Sequence, residues 1–125
     1  MLVGAGGLLG SVGRYLMGHY IYKMLPVMFP YGTLSINILG CFFIGMVMSF
    51  SNKQAINPEW RLFLATGFCG GFTTFSTFAF ENLNLLIQKE YFYFFLYAFA
   101  SYALGLTAVC IGLLLFKQYL GKIRQ

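Results

Sequence analysis

The sequence predicts an all-α integral membrane protein with four transmembrane helices, the third of which is broken. Hydrophobic residues make up 59% of the 125 residues and charged residues only 9%, whereas a soluble domain carries about 25% charge. Four apolar stretches each approach or exceed the roughly 20 residues that a helix needs to cross the hydrocarbon core. The short polar segments between them predict antiparallel neighbours in a single domain spanning residues 1–125.

The first two predicted helices are separated by a loop that contains prolines. The first helix covers about residues 2–24 and carries one basic residue, Arg14, near its middle. Pro26 and Pro30 follow, and proline both ends a helix and restricts the residue before it. The second helix covers about residues 31–50 and contains no charged residue.

The last two predicted helices follow a polar turn, SNKQAINPEW, in which Pro58 acts as a helix breaker. The third helix covers about residues 60–87 and includes GFCGGFTTFSTF, a stretch with no charge but many glycines and hydroxyls. The fourth covers about residues 91–116 and precedes a basic tail. Four spans place both termini on one side of the membrane, and the basic residues on that side, including Lys53, favour the cytoplasm.

Composition and spacing argue against several other classes of protein. The net charge of +5 comes mainly from residues at segment ends and in the tail, where they meet membrane lipid instead of nucleic acid. Cys41, Cys69 and Cys110 have no CxxC spacing and no histidine nearby, so we interpret them as small apolar side chains rather than metal ligands. His19 has no nucleophile nearby, and we do not expect an enzyme.

Polar side chains inside apolar spans are costly in lipid, so each suggests a function. Arg14 either extends to the lipid headgroups or faces a water-filled vestibule that attracts anions. Asn37 either bonds to a neighbouring helix or offers its N–H donors to an anion in a pore. In the fourth helix, Tyr97 and Ser101 precede small residues, and this face suits either close packing or the wall of a pore.

The third helix has the most distinctive polar pattern. Its polar residues recur every three or four positions and form one stripe, which consists of Thr77, Glu81, Asn84 and Gln88. Phe75 and Phe78 lie on a neighbouring face. Because an aromatic ring has a positive edge, these two rings can line a path for a small anion without holding it tightly.

The glycines before this stripe allow two interpretations. Gly67 and Gly71 form a GxxxG pair, which is typical of close helix packing. Alternatively, the helix breaks near Gly70 to Thr73 and frees backbone carbonyls, as in transport proteins whose unwound backbone binds ions.

Three motifs together make the chain resemble the Fluc family of fluoride channels, also called CrcB proteins. They are GGLLGSVGRY (Gly6–Tyr15), GTLSINILGCFFIG (Gly32–Gly45) and, the most specific, GFCGGFTTFSTFAFE (Gly67–Glu81). The resemblance implies an antiparallel, dual-topology homodimer in the plasma membrane, which is the inner membrane of cells that have two. It also implies two pores along the subunit interface, through which fluoride leaves the cell passively.

The same resemblance implies roles for individual residues. It implies that Asn37, Phe75, Phe78, Tyr97 and Ser101 line the fluoride pore. We add Thr77 to this lining, because its hydroxyl on the polar stripe is a further hydrogen-bond donor for the anion. Arg14 lies in a vestibule, and Glu81 lies at the far end of the polar stripe. The backbone carbonyls of Gly70 and Thr73 from both subunits bind a central sodium ion, which is structural and is not transported.

Two other functions compete with this interpretation. A small multidrug transporter has a similar length and number of spans, but it needs a carboxylate in its first span, where this chain has Arg14. A structural membrane subunit accounts for glycine-rich packing but not for Arg14, Asn37 and the threonine cluster together.

Overall fold

The computed structural model describes residues 1–52 and 54–125, and the regular structure in these ranges is entirely helical, which confirms the all-helical prediction. The helices, in chain order, are α1 (Leu2–Met24), α2 (Tyr31–Asn52), α3 (residues 58–72), α4 (Ser76–Ile87) and α5 (Tyr91–Ile123). Helices α3 and α4 together occupy the position of the predicted third helix. Lys53, which contributed to the predicted orientation, lies outside the described residues.

Three segments are long and apolar enough to cross a membrane, namely Tyr31–Asn52, Pro58–Ile87 and Tyr91–Ile123. The chain is therefore a multi-pass membrane protein. Helix α1 has 23 residues, which at ~1.5 Å per residue is enough to span the hydrocarbon core. Its hydropathy is lower because it contains several glycines together with Arg14 and His19, and its crossing of the membrane stays a prediction.

Helices α2 and α5 form one of the two extensive helix–helix contacts in the described chain. Glycine permits this contact on both helices. A Cβ atom on Gly45 would lie 2.3 Å from the Val109 carbonyl oxygen, and one on Gly112 would lie 2.3 Å from the Phe42 carbonyl oxygen. Helix α5 continues to Ile123, beyond its predicted end, because the lysine and glutamine that follow the apolar stretch favour continuation of a helix.

Helix α1 packs along α3 through glycines on both helices. A Cβ atom on Gly10 would lie 2.2 Å from the Phe68 carbonyl oxygen, and one on Gly71 would lie 2.5 Å from the Gly7 carbonyl oxygen. Such small residues let two backbones approach closely where lipid offers no hydrophobic driving force. The structure therefore supports the close-packing interpretation of the glycine pair.

Helix α3 changes its hydrogen-bonding pattern along its length. It begins as an α-helix over Pro58–Arg61, continues as a π-helix over Leu62–Cys69 and returns to an α-helix over Gly70–Phe72. A π-helix is rare, is wider than an α-helix and occurs often at functional sites. No feature of the sequence indicated it.

The predicted break in the third helix is present, but the expectation that it starts at Gly70 is wrong. The chain leaves the helix at Thr73, whose φ of −82° and ψ of 158° are extended, and α4 begins at Ser76. The break therefore consists of residues 73–75. The start is displaced because Gly71 contacts α1 as part of a continuous helix.

We expect Gly10→Ala to lower the free energy of unfolding by about 1–3 kcal/mol, because the new methyl group overlaps the Phe68 carbonyl. Gly4→Ala is the matched control, since a Cβ atom there has no neighbour within 4 Å. Unfolding in mixed micelles, followed by circular dichroism, measures both variants. Equal stability of the two would contradict the close contact between α1 and α3.

Candidate functional site

The break between α3 and α4 lies against α2, where Asn37 forms a reciprocal pair of hydrogen bonds with Thr74. The Thr74 N–H donates to Oδ1 of Asn37 at 2.9 Å, and Nδ2 of Asn37 donates to the Thr74 carbonyl at 3.0 Å. Residue 74 is outside the helices, so these backbone groups need partners from elsewhere. The predicted bond to a neighbouring segment is therefore present, and it uses one of the two N–H groups on Nδ2.

The side chains of Thr73 and Thr74 form hydrogen bonds with the ends of the helices on either side of the break. Oγ1 of Thr74 accepts from the N–H of Thr77 at 3.3 Å and donates to Oγ1 of Thr77 at 3.2 Å. A side-chain oxygen placed in this way satisfies a donor in the first turn of a helix. Oγ1 of Thr73 donates to the Cys69 carbonyl at 2.8 Å. Each threonine therefore connects the break to the helix beside it.

Arg14 reaches the break from α1. It is half-buried, and its Nε donates to the Gly71 carbonyl at 3.1 Å. In a continuous α-helix this carbonyl would accept from residue 75, which instead lies in the break. A hydrogen bond from a charged donor typically contributes about 1.5–3 kcal/mol. The guanidinium group thus stabilises a carbonyl near the break and places positive charge beside it.

A cavity of about 680 Å³ lies beside the break, and we call it the break cavity. Residues of α2, α3, α4, α5 and the break line it. The predicted site residues on its wall are Asn37, Gly70, Thr73, Phe75, Phe78 and Ser101. Thr77, Tyr97, Arg14 and Glu81 are not on this wall. The structure therefore brings together most of the predicted pore residues and both predicted sodium ligands.

Aromatic rings and a hydroxyl group form part of this wall. The ring centroids of Phe75 and Phe78 are 5.8 Å apart, and that of Phe78 is 4.9 Å from Tyr97 in an edge-to-face arrangement. Phe75 is 78% exposed in the single chain. Oγ of Ser101 is buried and has no hydrogen-bond partner among the described residues. Two aromatic rings therefore line the wall, and the Ser101 hydroxyl lies just behind it without a hydrogen-bond partner among the described residues.

Glu81 lies away from the break cavity, where two hydroxyl groups bind it. Oγ1 of Thr33 donates to its Oε1 at 2.7 Å, and the Tyr97 hydroxyl donates to its Oε2 at 2.7 Å. Tyr97 is fully buried and packs with Phe29 and Leu85 in an apolar cluster. A second cavity, of about 540 Å³, begins at this carboxylate, and its wall includes Thr33, Glu81, Asn84 and Gln88. Most of the predicted polar stripe therefore leads into an open space.

Thr33 and Thr74 complete these hydrogen bonds, but they were not among the predicted site residues. Thr33 lies four residues before Asn37 in the same helix, and that spacing places both on one face. No local pattern indicated the role of Thr74, because its backbone is hydrogen-bonded to Asn37, which lies 37 residues earlier in the chain.

Two backbone carbonyls at the break lack the N–H donors that a continuous helix would supply. Within residues 1–52 and 54–125, no three side chains of histidine, cysteine, aspartate or glutamate group into a metal site. A continuous helix would direct the N–H groups of Thr74 and Thr77 to the carbonyls of Gly70 and Thr73. Those N–H groups donate instead to Asn37 and to Oγ1 of Thr74. The two carbonyls are thus released from α-helical bonding, and their residues line the break cavity.

Comparison with known proteins identifies one family. The family model described as "CrcB-like protein, Camphor Resistance (CrcB)" matches residues 1–113. A relative from Gloeothece citriformis is 46% identical over 94% of this chain and 96% of its own length. Relatives from Campylobacter lari and Chlorobium phaeobacteroides are each 43% identical, over 94% and 95% of this chain and 96% and 93% of their own lengths. All three bear the name "Fluoride-specific ion channel FluC".

We expect Asn37→Ala to destabilise the protein, because it leaves the N–H and the carbonyl of Thr74 without their partner. An unsatisfied buried backbone group costs about 1–3 kcal/mol. Unfolding in mixed micelles measures the loss, and faster amide hydrogen exchange at residues 73–75 locates it.

Asn84→Ala serves as the matched control, because Asn84 lies on the wall of the second cavity. If Asn37→Ala and Asn84→Ala unfold at the same denaturant concentration, Asn37 does not stabilise the break.

Proposed function

The chain belongs to the CrcB-like family, as its motifs suggested, and on this basis we propose that it is a fluoride-selective ion channel through which fluoride leaves the cytoplasm passively. This function is supported above all by the name "Fluoride-specific ion channel FluC" of relatives that match more than nine-tenths of this chain. These relatives are named as channels and not as enzymes, which confirms that the chain is not an enzyme.

Fluoride is small and strongly hydrated, so it leaves water only where other hydrogen-bond donors replace its hydration shell. The break cavity offers such donors. The second N–H of the Asn37 side chain is not used in the bonds to Thr74, and the Ser101 hydroxyl is without a partner among the described residues. The edges of Phe75 and Phe78 add weak positive potential without a fixed charge. Such a surface attracts fluoride but binds it weakly enough for the ion to dissociate.

The remaining predicted residues fit the approaches to this cavity. Arg14 provides positive charge beside the break, which favours an anion over a cation. Thr77 is hydrogen-bonded to Thr74, and Tyr97 contacts both Phe78 and Glu81. We infer that Thr77 and Tyr97 continue the pore from Phe78 towards Glu81, whose carboxylate marks the exit into the second cavity.

We further propose that two antiparallel copies form the channel in the plasma membrane. Gly70 and Phe75 are exposed on the wall of the break cavity in a single chain, and a cavity that is open on this side is incomplete as a pore. A second copy that covers this face would close the cavity. Labelling of a cysteine introduced at Gln125 from each side of sealed vesicles tests the dual orientation, and reaction from one side only argues against it.

Sodium is the cation that we propose for the carbonyls of Gly70 and Thr73. One chain supplies two released carbonyls, and a second, symmetry-related chain supplies two more. Four backbone oxygens replace much of the hydration shell of a small monovalent cation, as in other ion sites built from backbone. Such an ion stabilises the carbonyls in a dry interior, where each unsatisfied group costs several kcal/mol.

We expect Phe75→Ile and Phe78→Ile each to reduce fluoride flux by at least about tenfold, equivalent to about 1.4 kcal/mol of barrier. Isoleucine keeps an apolar side chain but removes the positive ring edge. Efflux from liposomes, recorded with a fluoride electrode, measures the change, and chloride efflux from the same liposomes tests selectivity.

Phe80→Ile is the matched control, because Phe80 belongs to the same helix as Phe78, is 62% exposed and lines neither cavity. A parent protein that passes chloride as fast as fluoride would refute the proposed function. Full flux in both Phe75→Ile and Phe78→Ile would refute the proposed pore.

Removal of sodium should weaken the dimer and reduce flux, because a ligand that binds only the assembled protein stabilises it by mass action. The measurement compares chemical cross-linking and fluoride efflux in sodium with those in N-methylglucamine, followed by readdition of sodium. Thr73→Val keeps the proposed carbonyl ligand and should retain the sodium dependence. A dimer that is equally stable in both cations would contradict the sodium site.

A further inference from the structure

Cys41 and Cys69 lie on the wall of the break cavity, although the proposed fluoride path uses neither of them. Both are free cysteines; Cys69 is buried and Cys41 is half-buried. The third cysteine, Cys110, is exposed on α5 and lines neither cavity. Two thiol groups from different helices therefore share one cavity, which their spacing in the sequence did not indicate.

The contact between α2 and the break places Cys41 and Cys69 on neighbouring segments of the cavity wall. A Cβ atom on Gly40 would lie 2.2 Å from Cγ2 of Thr73, so the α2 backbone touches the Thr73 side chain directly. The Thr73 hydroxyl in turn donates to the Cys69 carbonyl at 2.8 Å. Cys41 follows Gly40 in the sequence, and like Cys69 it lines the break cavity. The Cys41 sulfur faces α5, at 3.5 Å from the position of a Cβ atom on Gly105.

Two sulfur ligands suit a particular class of metal ion. Thiolates are soft ligands that select soft ions such as Cu⁺, Ag⁺ and Hg²⁺. A structural zinc site needs four ligands, and the described chain offers no cluster of three histidine, cysteine, aspartate or glutamate side chains. We propose that Cys41 and Cys69 form a two-thiolate site for a soft metal ion, and that an ion bound there blocks the break cavity.

Binding at this site releases protons without a change of oxidation state. Each thiol gives its proton to solvent as its sulfur forms a bond with the metal, so one divalent ion displaces two protons. The bound ion ties α2 to α3 beside Asn37 and Ser101, on the same cavity wall. The block of fluoride flux rests on the proposed function, whereas binding of the metal does not.

Titration of the purified protein with Hg²⁺ tests the site. The Cys110→Ser variant provides the background, and ultraviolet absorbance of the mercury–thiolate bond together with proton release measures binding. We expect one ion and two protons per chain in this background. Adding Cys41→Ser or Cys69→Ser should weaken binding by about 100-fold, because the second sulfur no longer acts as an intramolecular ligand.

Three results of the titration would overturn the site. They are unchanged affinity after loss of Cys41 or Cys69, loss of binding in Cys110→Ser alone, and a stoichiometry of half an ion per chain, which means bridging between copies.

Fluoride efflux tests the block separately, with each variant compared with its own flux before addition of HgCl₂. We expect inhibition in the parent and in Cys110→Ser, reversal by a dithiol, and no inhibition when Cys41 and Cys69 are both serine. Normal efflux with mercury bound would overturn the block but not the site. A protein that binds mercury and never conducts fluoride would refute the proposed function while leaving the metal site established.

Discussion

The pair of hydrogen bonds between Asn37 and Thr74 is the interaction on which the rest of the site depends. An interruption of a helix inside an apolar protein exposes backbone groups that lipid cannot satisfy. The Asn37 side chain accepts from the N–H of Thr74 and donates to its carbonyl at the same time. An uncharged side chain therefore provides the hydrogen bonds that a continuous helix would have provided. Because Thr74 is held in this way, Phe75 and Phe78 are fixed beside the break cavity, and the Gly70 carbonyl loses its helical donor.

The charged side chains of Arg14 and Glu81 follow a similar principle. Arg14 is bonded to a backbone carbonyl, and both oxygens of Glu81 accept from hydroxyl groups. Each charge is stabilised by neutral dipoles, which satisfy its hydrogen bonds without cancelling its field. In the proposed channel, a direct ion pair between the two would remove the positive potential that an anion meets near the break. For that function, the separation of these charges would contribute to anion conduction as well as satisfying polar groups in an apolar surrounding.

The sequence predicted the helices more completely than their contacts. Prolines, charged turns and long apolar runs located the connections, and Asn37, Phe75, Phe78 and Ser101 meet at one cavity as their motifs suggested. The predicted start of the break was wrong because a sequence does not distinguish a glycine that interrupts a helix from one that lets two helices pack closely. The hydrogen bond from Arg14 to Gly71 and the presence of Cys41 and Cys69 on one cavity wall depend on tertiary packing, for which local periodicity gives no signal.

The π-helical stretch Leu62–Cys69 has a consequence for how this chain tolerates insertions and deletions. Each residue added to or removed from an α-helix turns everything beyond it by about 100°, since one turn contains 3.6 residues. The π-helical stretch therefore determines how far the residues after it are rotated about the helix axis. In the observed rotation Gly71 contacts α1, and Gly70 faces open space. A change of length by one residue, harmless in most loops, would here rotate the glycine away from its partner and turn the wrong face of the helix towards the cavity.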